Sequence, residues 1–161
     1  MKKLTLIRHA KSDWSSGAAS DFERPLNRRG NKAAPLMADR ILERDTVPDL
    51  LVSSPARRAA ETVELLAQEL ELSPEQIVFN REIYAASLGI LIDIVRQLPD
   101  LEHIALIGHN PGLSELGQWL CAQASEWLPT CAVLELKLAV DDWAAVSPSC
   151  ATLLFYDYPK K

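Results

Sequence analysis

Cysteine is scarce in this 161-residue chain. The three cysteines, Cys121, Cys131 and Cys150, are odd in number and widely spaced, a pattern that excludes a disulfide framework and a cysteine metal motif. No anion-binding loop flanks any of them, so a catalytic thiol is not expected either. We expect each cysteine to be a small buried hydrophobic residue.

Long runs of basic residues are also missing. Lysine and arginine occur at most in pairs, as at Arg28–Arg29, Arg57–Arg58 and Lys160–Lys161, and the net charge is −5 with an isoelectric point of about 5.2. A nucleic-acid binder usually presents a basic face, so we expect no nucleic-acid partner. Any concentration of positive charge in this acidic chain has to be local.

No window of the sequence approaches 18 uncharged apolar residues, so we expect no membrane-spanning helix and no membrane partner. The apolar run that begins at Leu4 is interrupted at Arg8, too early for the hydrophobic region of a signal peptide. We therefore expect a cytoplasmic protein.

Hydrophobic residues make up 48% of the chain and charged residues 24%, and its length fits a single domain spanning residues 1–161. Short apolar runs alternate with helical periodicity, which predicts a three-layer α/β fold with a mostly parallel central sheet flanked by helices. The predicted strands are Leu4–Ile7, Asp49–Ser53, Ile77–Phe79, Glu102–Ile107, Ala132–Leu138 and Thr152–Tyr156. The predicted helices are Asn27–Arg44, Pro55–Glu71, Leu88–Leu98 and Leu113–Ala122. The last two strands have no helix between them, so we expect them to pair antiparallel.

Four residues refine the predicted helices. Pro35 lies inside the first helix and should kink it or mark a later start. Ser54 and Pro55 are expected to cap and begin the second helix. Asn110 is expected to cap the fourth helix.

Three predicted strands end in polar tips with matched charges. The first ends in Arg8-His9, the second in Ser53-Ser54-Pro55 followed by Arg57-Arg58, and the third in Gly108-His109-Asn110. In an open α/β sheet, ligands bind outside the carboxyl ends of the strands, near a switch in strand order. The three tips therefore meet if their strands are parallel neighbours.

Such a meeting would favour phosphate chemistry. Two helix N-termini would offer free N–H groups to an anion, and two arginines would offer permanent, fork-shaped positive charge. Two histidines would serve as nucleophile or proton carrier. This set supplies what phosphoryl transfer needs without a metal or other cofactor, and the chain lacks the P-loop lysine of a magnesium nucleotide site.

The same segments resemble a known family. Leu6–Ser12 looks like the strand-RHG motif of the histidine phosphatase superfamily, Ser54–Thr62 like its S-x-x-x-R-A-x-x-T helix, and Leu106–Gly112 like its distal GHN segment. Three motifs in the right order are far more specific than one. Arg24–Leu26 and Ile83–Ala86 look most like the small SixA-type phosphohistidine phosphatases, which implies a phosphoglycerate-mutase-like fold without a lid insertion.

The resemblance also implies roles. His9 would be the nucleophile that forms a phosphohistidine, Arg8 and Arg58 would hold the phosphate, and His109 would donate to it and stabilise the transition state. Arg58 fits the motif because it precedes alanine and stands four residues before Thr62. Arg57 is left open as an accessory residue or plain surface charge.

Two positions depart from the family pattern. Ala10 replaces the usual glycine after the histidine, a small change that SixA-type members tolerate. Glu82 stands where many members carry a general acid, but the glycine and glutamate pattern downstream is missing. Glu82 is therefore a candidate acid only, and a labile phosphoramidate bond could dispense with a strong one.

The resemblance leaves three functions to weigh. The first is hydrolysis of phosphohistidine on a phosphotransfer or phosphocarrier protein, with inorganic phosphate as the product. The absence of room for a lid between Arg81 and Leu88 favours it, because small-molecule phosphatases often close over their substrates. A small phosphate-ester phosphatase is the serious rival, whereas a mutase and a non-enzymatic phosphoprotein-binding module are weaker.

Several other residues receive structural interpretations. His103 stands before a strand and is expected at the surface, and Trp119, Trp127 and Trp143 are expected to pack in the interior. The loop Lys11–Leu26 could shape the rim of the site or be a plain surface loop. Its acidic residues, Asp13, Asp21 and Glu23, have a spacing that fits no hard-cation loop.

Overall fold

The computed structural model describes residues 1–160, so Lys161 of the terminal basic pair lies outside the described residues. Six strands form one sheet in the order β3-β2-β4-β1-β5-β6. The strands are β1 Lys2–Arg8, β2 Leu50–Ser53, β3 Ile77–Phe79, β4 His103–Gly108, β5 Val133–Leu138 and β6 Ala151–Asp157. The first four are mutually parallel, whereas β5 is antiparallel to both β1 and β6. The predicted α/β class and the antiparallel final pair are confirmed.

Four helices and three short 3-10 turns connect the strands. The helices are α1 Arg28–Glu43, α2 Arg57–Glu69, α3 Leu88–Arg96 and α4 Gly112–Leu120, and the turns are Pro74–Gln76, Arg81–Ile83 and Trp143–Ala145. No helix among residues 1–160 is long and apolar enough to span a membrane. Only residues 84–87 separate the second turn from α3, which agrees with a fold without a lid insertion.

The sheet alternates its apolar side chains between two cores because successive strand residues point to opposite faces. Leu4 and Leu6 of β1 pack with α3 and α4, whereas Ile7 packs with α1 and α2 on the other face. All four helices carry one apolar face toward the sheet, as their spacing predicted. The result is the expected three-layer arrangement.

The two middle strands β1 and β4 send their helices to opposite faces of this sheet. The chain leaves β1 for α1 on one face and leaves β4 for α4 on the other. Such a divergence opens a crevice at the carboxyl ends of the two strands, where ligands bind in folds of this kind. Arg8 and Gly108, the last residues of β1 and β4, are register partners at this crevice.

The helix-end predictions were partly wrong. Helix α1 begins at Arg28 with Asn27 as its side-chain cap and continues through Pro35, so the proline does not mark a later start. Helix α2 begins at Arg57, two residues after Pro55, without a side-chain cap. Helix α4 begins after Pro111, and Asn110 instead accepts a hydrogen bond from the Ser114 hydroxyl and donates to the Leu128 carbonyl.

Two surface and core predictions were also wrong. His103 is buried, because the strand it begins lies in the middle of the sheet and its ring bonds the Thr5 hydroxyl. Trp127 is 55% exposed, since it follows α4 on the segment that returns to β5, whereas Trp143 is buried as expected. Cys121 and Cys131 are buried, and Cys150 is half-buried.

Candidate active site

The three polar tips do meet at one edge of the sheet. Strands β2, β4 and β1 are adjacent and parallel, so Ser54, His109 and His9 follow neighbouring strand ends. The backbone is tied across the edge, because the amide of His9 donates to the Gly108 carbonyl at 3.1 Å and that of Ser54 to the Ile107 carbonyl at 3.0 Å. The two histidine rings lie 5.2 Å apart between centroids.

The imidazole of His9 is held as a neutral base. Its Nδ1 lies 2.8 Å from the Ala10 carbonyl oxygen, which can only accept, so the ring proton sits on Nδ1 and the lone pair on Nε2. Burial is the main cause that lowers the pKa of His9 to about 3, and His109, Arg58 and Arg8 lower it further against the effect of the Ala10 bond. Nε2 is therefore available as a nucleophile at neutral pH.

Thr62 of α2 fixes the backbone that carries His9. Its hydroxyl donates to the Arg58 carbonyl at 2.7 Å and accepts from the Ala10 amide at 3.0 Å, and the residue is fully buried. One side chain thus joins the first turn of α2 to the loop that follows β1. This contact explains why the motif places threonine four residues after Arg58.

The guanidinium of Arg58 lies in the first turn of α2 and is 5% exposed. Its Nη1 donates to the Asp21 carbonyl at 2.7 Å and its Nη2 to the Asp21 carboxylate at 3.0 Å. Arg24 and the Tyr84 hydroxyl donate to the same carboxylate at 3.1 and 2.7 Å. The Tyr84 bond, together with Arg24 and Arg58, lowers the pKa of Asp21 to about 2, so this carboxylate is ionised at neutral pH.

Arg8 occupies the other side of the crevice at the end of β1. Its Nη1 donates to the Leu128 carbonyl at 3.0 Å, and its guanidinium lies 5.7 Å from the ring centre of Trp127. Burial and the charge of Arg58 both lower the pKa of Arg8. The two cations are therefore near enough for their charges to interact.

His109 completes the edge at the end of β4. Its Nε2 lies 2.7 Å from the Ser54 hydroxyl, which also accepts the amide of Ala56 at 3.2 Å. Burial is the main cause that lowers the pKa of His109 to about 4. The Tyr84 ring packs edge-on against the imidazole at 5.5 Å.

Buried donors without a partner are concentrated at this edge. Among residues 1–160, five buried side-chain nitrogen or oxygen atoms have no hydrogen-bond partner, and four of them are Nε of Arg8, Arg24 and Arg58 and Nδ1 of His109. Buried polar atoms are normally paired, so such a group marks a place built for something else. Three cationic guanidinium groups beside two neutral imidazoles suit a tetrahedral anion.

The structure does not bring two other predicted groups to this edge. Glu82 is exposed and lines a separate cavity with Val52, Val78 and Asp93, and no hydrogen bond or ion pair of the described residues joins it to His9 or His109. Arg57 is exposed and pairs with Glu61 at 3.3 Å on the outer face of α2, which makes it surface charge.

Two of the amides at the start of α2 that were expected to be free are taken up within the protein. The amide of Ala56 donates to the Ser54 hydroxyl, and that of Arg57 donates to the Phe22 carbonyl at 2.9 Å. The helix start is occupied because the loop before α1 folds over it.

Sequence reasoning missed three residues of the site: Asp21, Arg24 and Tyr84. Asp21 was excluded as a cation ligand by its spacing in the sequence and had no other predicted role beyond membership of the loop before α1. It stands 37 residues before Arg58 and 63 before Tyr84, separations at which a pairing leaves no local pattern. Arg24 and Tyr84 did stand in segments that resemble SixA-type proteins. Those two short likenesses were the signal that could have found them.

A comparison with protein families gives a match over residues 4–91 to the model described as histidine phosphatase superfamily (branch 1). An uncharacterized protein of Mycobacterium tuberculosis is 30% identical over 165 residues, which cover 96% of this chain and 100% of the relative. An uncharacterized protein of Picosynechococcus is 31% identical over 140 residues, which cover 85% of this chain and 81% of that one.

Solved structures share the fold. A SixA protein from Agrobacterium tumefaciens superimposes with a TM-score of 0.82 at 24% identity, covering 98% of both chains. The protein histidine phosphatase SixA in complex with tungstate gives 0.83 at 23% identity, covering 98% of this chain and 97% of that one. A mycobacterial glucosyl-3-phosphoglycerate phosphatase in complex with vanadate gives 0.69 at 15% identity, covering 98% and 100%.

Proposed function

The chain belongs to the histidine phosphatase superfamily (branch 1), and from that premise we propose that it removes phosphate from histidine-phosphorylated phosphotransfer or phosphocarrier proteins. The observation that carries the proposal is the neutral His9, whose Nε2 has no partner among residues 1–160 and whose ring lies in the field of Arg8 and Arg58, two arginines with buried, unpartnered donors. The tungstate-bound neighbour described as a protein histidine phosphatase supports the same substrate class.

In the first step, Nε2 of His9 attacks the phosphorus atom of the substrate phosphohistidine. A new P–N bond forms to His9 while the P–N bond to the substrate imidazole breaks. The imidazole leaves as a neutral group because its other ring nitrogen takes up a proton from solvent water. Arg8 and Arg58 neutralise the charge on the equatorial oxygens, which is the main demand of phosphoryl transfer. His109 donates a hydrogen bond to the same phosphoryl group from Nδ1.

In the second step, water attacks the phosphorus atom of phospho-His9. The P–N bond to His9 breaks, inorganic phosphate leaves, and His9 returns to its neutral form with the proton on Nδ1. The Ala10 carbonyl keeps that proton in place, so Nε2 points to the same position in every cycle. Thr62 holds the backbone of this segment, which keeps the nucleophile aligned.

The state of the nearby carboxylate favours a phosphoramidate over a phosphate ester. Asp21 is held ionised by Tyr84, Arg24 and Arg58, so at neutral pH it has no proton to give to a leaving group. An alkoxide leaving group needs such a proton, whereas an imidazole leaves readily once it is protonated. The bond formed and the bond broken in the first step are both P–N bonds to an imidazole, so the free-energy change of that step is small.

A small-molecule phosphate monoesterase is the second candidate. The mycobacterial glucosyl-3-phosphoglycerate phosphatase shares the fold, and the arginines and histidines proposed to act here would serve an ester as well. Glu82 was the candidate acid for that reaction, and it lines a cavity whose lining does not include His9. An ester reaction would have to take its proton from another group.

Phosphate release from a histidine-phosphorylated phosphotransfer protein, measured beside a panel of small phosphate esters at equal enzyme concentration, tests the proposal. We expect kcat/KM for the phosphoprotein to exceed that for every ester by at least about 100-fold, since a fold without a lid leaves esters poorly held. Faster turnover of an ester would assign the second function. Glu82→Gln is the matched variant, and its full activity on the phosphoprotein is expected.

A further inference from the structure

A basic groove runs beside the candidate active site. It has a volume of about 450 Å³ and lies between α1, the segment before β5 and the residues after β6. Its basic members are Lys11, Arg29, Lys32 and Lys160, and its apolar members include Leu36 and Pro129. Leu36 is an exposed leucine on α1, so the floor of the groove presents apolar surface to solvent.

Two cations of this basic groove lie near the N-terminus of a helix, where positive charge is unfavourable. Arg29 lies in the first turn of α1 and Lys32 one turn later, at the positive end of the helix dipole, and no acidic residue occupies the first turn. Cations at that end reduce helix stability. Within residues 1–160, neither side chain has an ion pair, so nothing inside the protein offsets their charge. Departures from local preference of this kind concentrate at functional surfaces.

The basic groove and the site share one wall. Pro129 and Thr130 line the groove, and they lie between two residues that hold the catalytic backbone. Leu128 accepts the Arg8 guanidinium through its carbonyl at 3.0 Å, and the amide of Cys131 donates to the His9 carbonyl at 3.0 Å. A substrate protein that places a phosphoryl group beside His9 therefore lies close enough to contact the groove.

Two exposed tryptophans flank the same site. Trp14 is 81% exposed with the Arg24 guanidinium 3.6 Å from its ring centre, and Trp127 is 55% exposed beside Arg8. Exposed tryptophans backed by arginines are typical anchors of protein interfaces. They suit a broad partner better than a small molecule, which could not touch the groove and both rings at once.

We propose that the basic groove and these tryptophans form the docking surface for the substrate protein, which presents acidic and apolar side chains beside its phosphohistidine. The proposal rests on the proposed function and adds the partner's surface chemistry. Charge complementarity selects the occupant, since four cations gather around an apolar floor in a chain of net charge −5.

The test is the double variant Arg29→Glu/Lys32→Glu, with Lys137→Glu as control because Lys137 is exposed on β5 and does not line the groove. Both enzymes are assayed on a histidine-phosphorylated phosphotransfer protein and on phosphoramidate, which carries the P–N bond alone. For the double variant we expect kcat/KM on the phosphoprotein to fall about 10- to 100-fold, mostly through KM. We expect phosphoramidate hydrolysis to stay within about twofold, since an anion of this size reaches His9 without contacting the groove.

The salt dependence gives a second readout. Wild-type kcat/KM on the phosphoprotein should fall steeply with ionic strength, and the double variant should show a flatter dependence. Thermal unfolding checks the fold, and glutamates near a helix N-terminus should leave the melting temperature unchanged or raise it.

Three outcomes would overturn the docking surface. The first is a double variant with wild-type kcat/KM on the phosphoprotein, and the second is an equal loss on phosphoramidate. The third is a wild-type enzyme that turns over esters but no phosphoprotein, and this one also refutes the proposed function. The first two leave that function standing, so the two failures are distinguishable.

Discussion

One buried histidine lies at each end of the pairing between strands β1 and β4. The two histidines differ in the groups that surround their rings. His9 follows β1 at the carboxyl edge and is 6% exposed, and His103 begins β4 at the amino edge and is 8% exposed. Burial is the main cause that lowers the pKa of His9 to about 3 and that of His103 to about 4. By burial and titration alone the two are nearly alike.

The contacts of the two rings separate them. Nε2 of His103 is 2.7 Å from the Thr5 hydroxyl and 3.7 Å from the Glu135 carboxylate, so its hydrogen-bonding capacity is used inside the protein. Among residues 1–160, Nε2 of His9 has no hydrogen-bond partner, and the charges that act on its ring include those of Arg58 and Arg8, whose Nε donors are unpartnered. A lowered histidine pKa therefore marks burial, whereas a free ring nitrogen near arginines with unpartnered donors marks the site.

Replacing each histidine in turn should give the largest contrast. We expect His9→Ala to lower kcat on the phosphoprotein by roughly 10⁴-fold or more, because the covalent intermediate cannot form. His103→Gln should retain kcat within about threefold and lose stability instead. Steady-state phosphate release and urea unfolding of both variants check this, and substantial turnover by His9→Ala would remove the proposed mechanism.

The adjacent arginines of α2 provide a second contrast. Arg58→Ala should lower kcat/KM by about 10²- to 10³-fold, because a buried charge that stabilises the transferring phosphoryl group is lost. Arg57→Ala should change it less than about twofold, since within residues 1–160 its one ion pair is the exposed contact with Glu61. Equal losses in the two variants would mean that the wrong arginine has been assigned.

The same threonine-to-valine substitution at two buried positions compares the two edges of the sheet directly. Thr62→Val leaves the Ala10 amide without its acceptor, and Thr5→Val leaves the His103 ring without its hydroxyl partner. Each should cost about 1–3 kcal/mol in the free energy of unfolding. Only Thr62→Val should also lower kcat, by about 10-fold, because it loosens the segment that carries His9. A drop in kcat for Thr5→Val would contradict the separation of the two edges.

Lowering the pH should destabilise the protein through the buried histidines at both edges of the sheet. A histidine whose pKa is lowered in the folded state contributes stability above its unfolded pKa near 6.5, and loses it as pH falls toward the folded value. His9, His103 and His109 all have lowered pKa values, so the free energy of unfolding should decrease between pH 6.5 and about 4.

His103→Gln should make this decrease smaller by on the order of 1–2 kcal/mol between pH 7 and pH 5. Urea unfolding at a series of pH values measures both curves. Parallel curves for the wild type and the variant would show that His103 does not titrate as its surroundings indicate.

The strand tips and their chemistry could be predicted from sequence because the pattern there is local. Each tip joins an apolar run to a polar turn, and parallel strands place their carboxyl ends on one edge. Arg8 and Gly108, the last residues of β1 and β4, were therefore expected at one edge, and the structure shows that they are register partners. The family resemblance added the roles of His9, Arg58 and His109, which remain predictions.

The remainder depends on contacts distant in the chain. Asp21 reaches Arg58 only because the loop before α1 folds over the start of α2, and the same loop takes up the amide of Arg57. His103 is buried because β4 lies between β1 and β2, an order that the sequence of a single strand does not reveal. Hydrophobic periodicity could not correct the misplaced start of α2 or the surface prediction for His103. It shows which face of a helix or strand is apolar, but not which elements pack beside it.

Trapping the covalent intermediate is the most direct test of His9 as the nucleophile. The enzyme is mixed with a histidine-phosphorylated phosphotransfer protein, quenched in alkali within milliseconds, digested, and analysed by mass spectrometry for phosphate on the peptides that contain His9, His103 and His109. We predict alkali-stable phosphate on the His9 peptide alone, and none on any peptide of His9→Ala. Phosphate on His109, or full turnover with no phosphorylated enzyme at any time, would contradict the assignment of His9 as nucleophile.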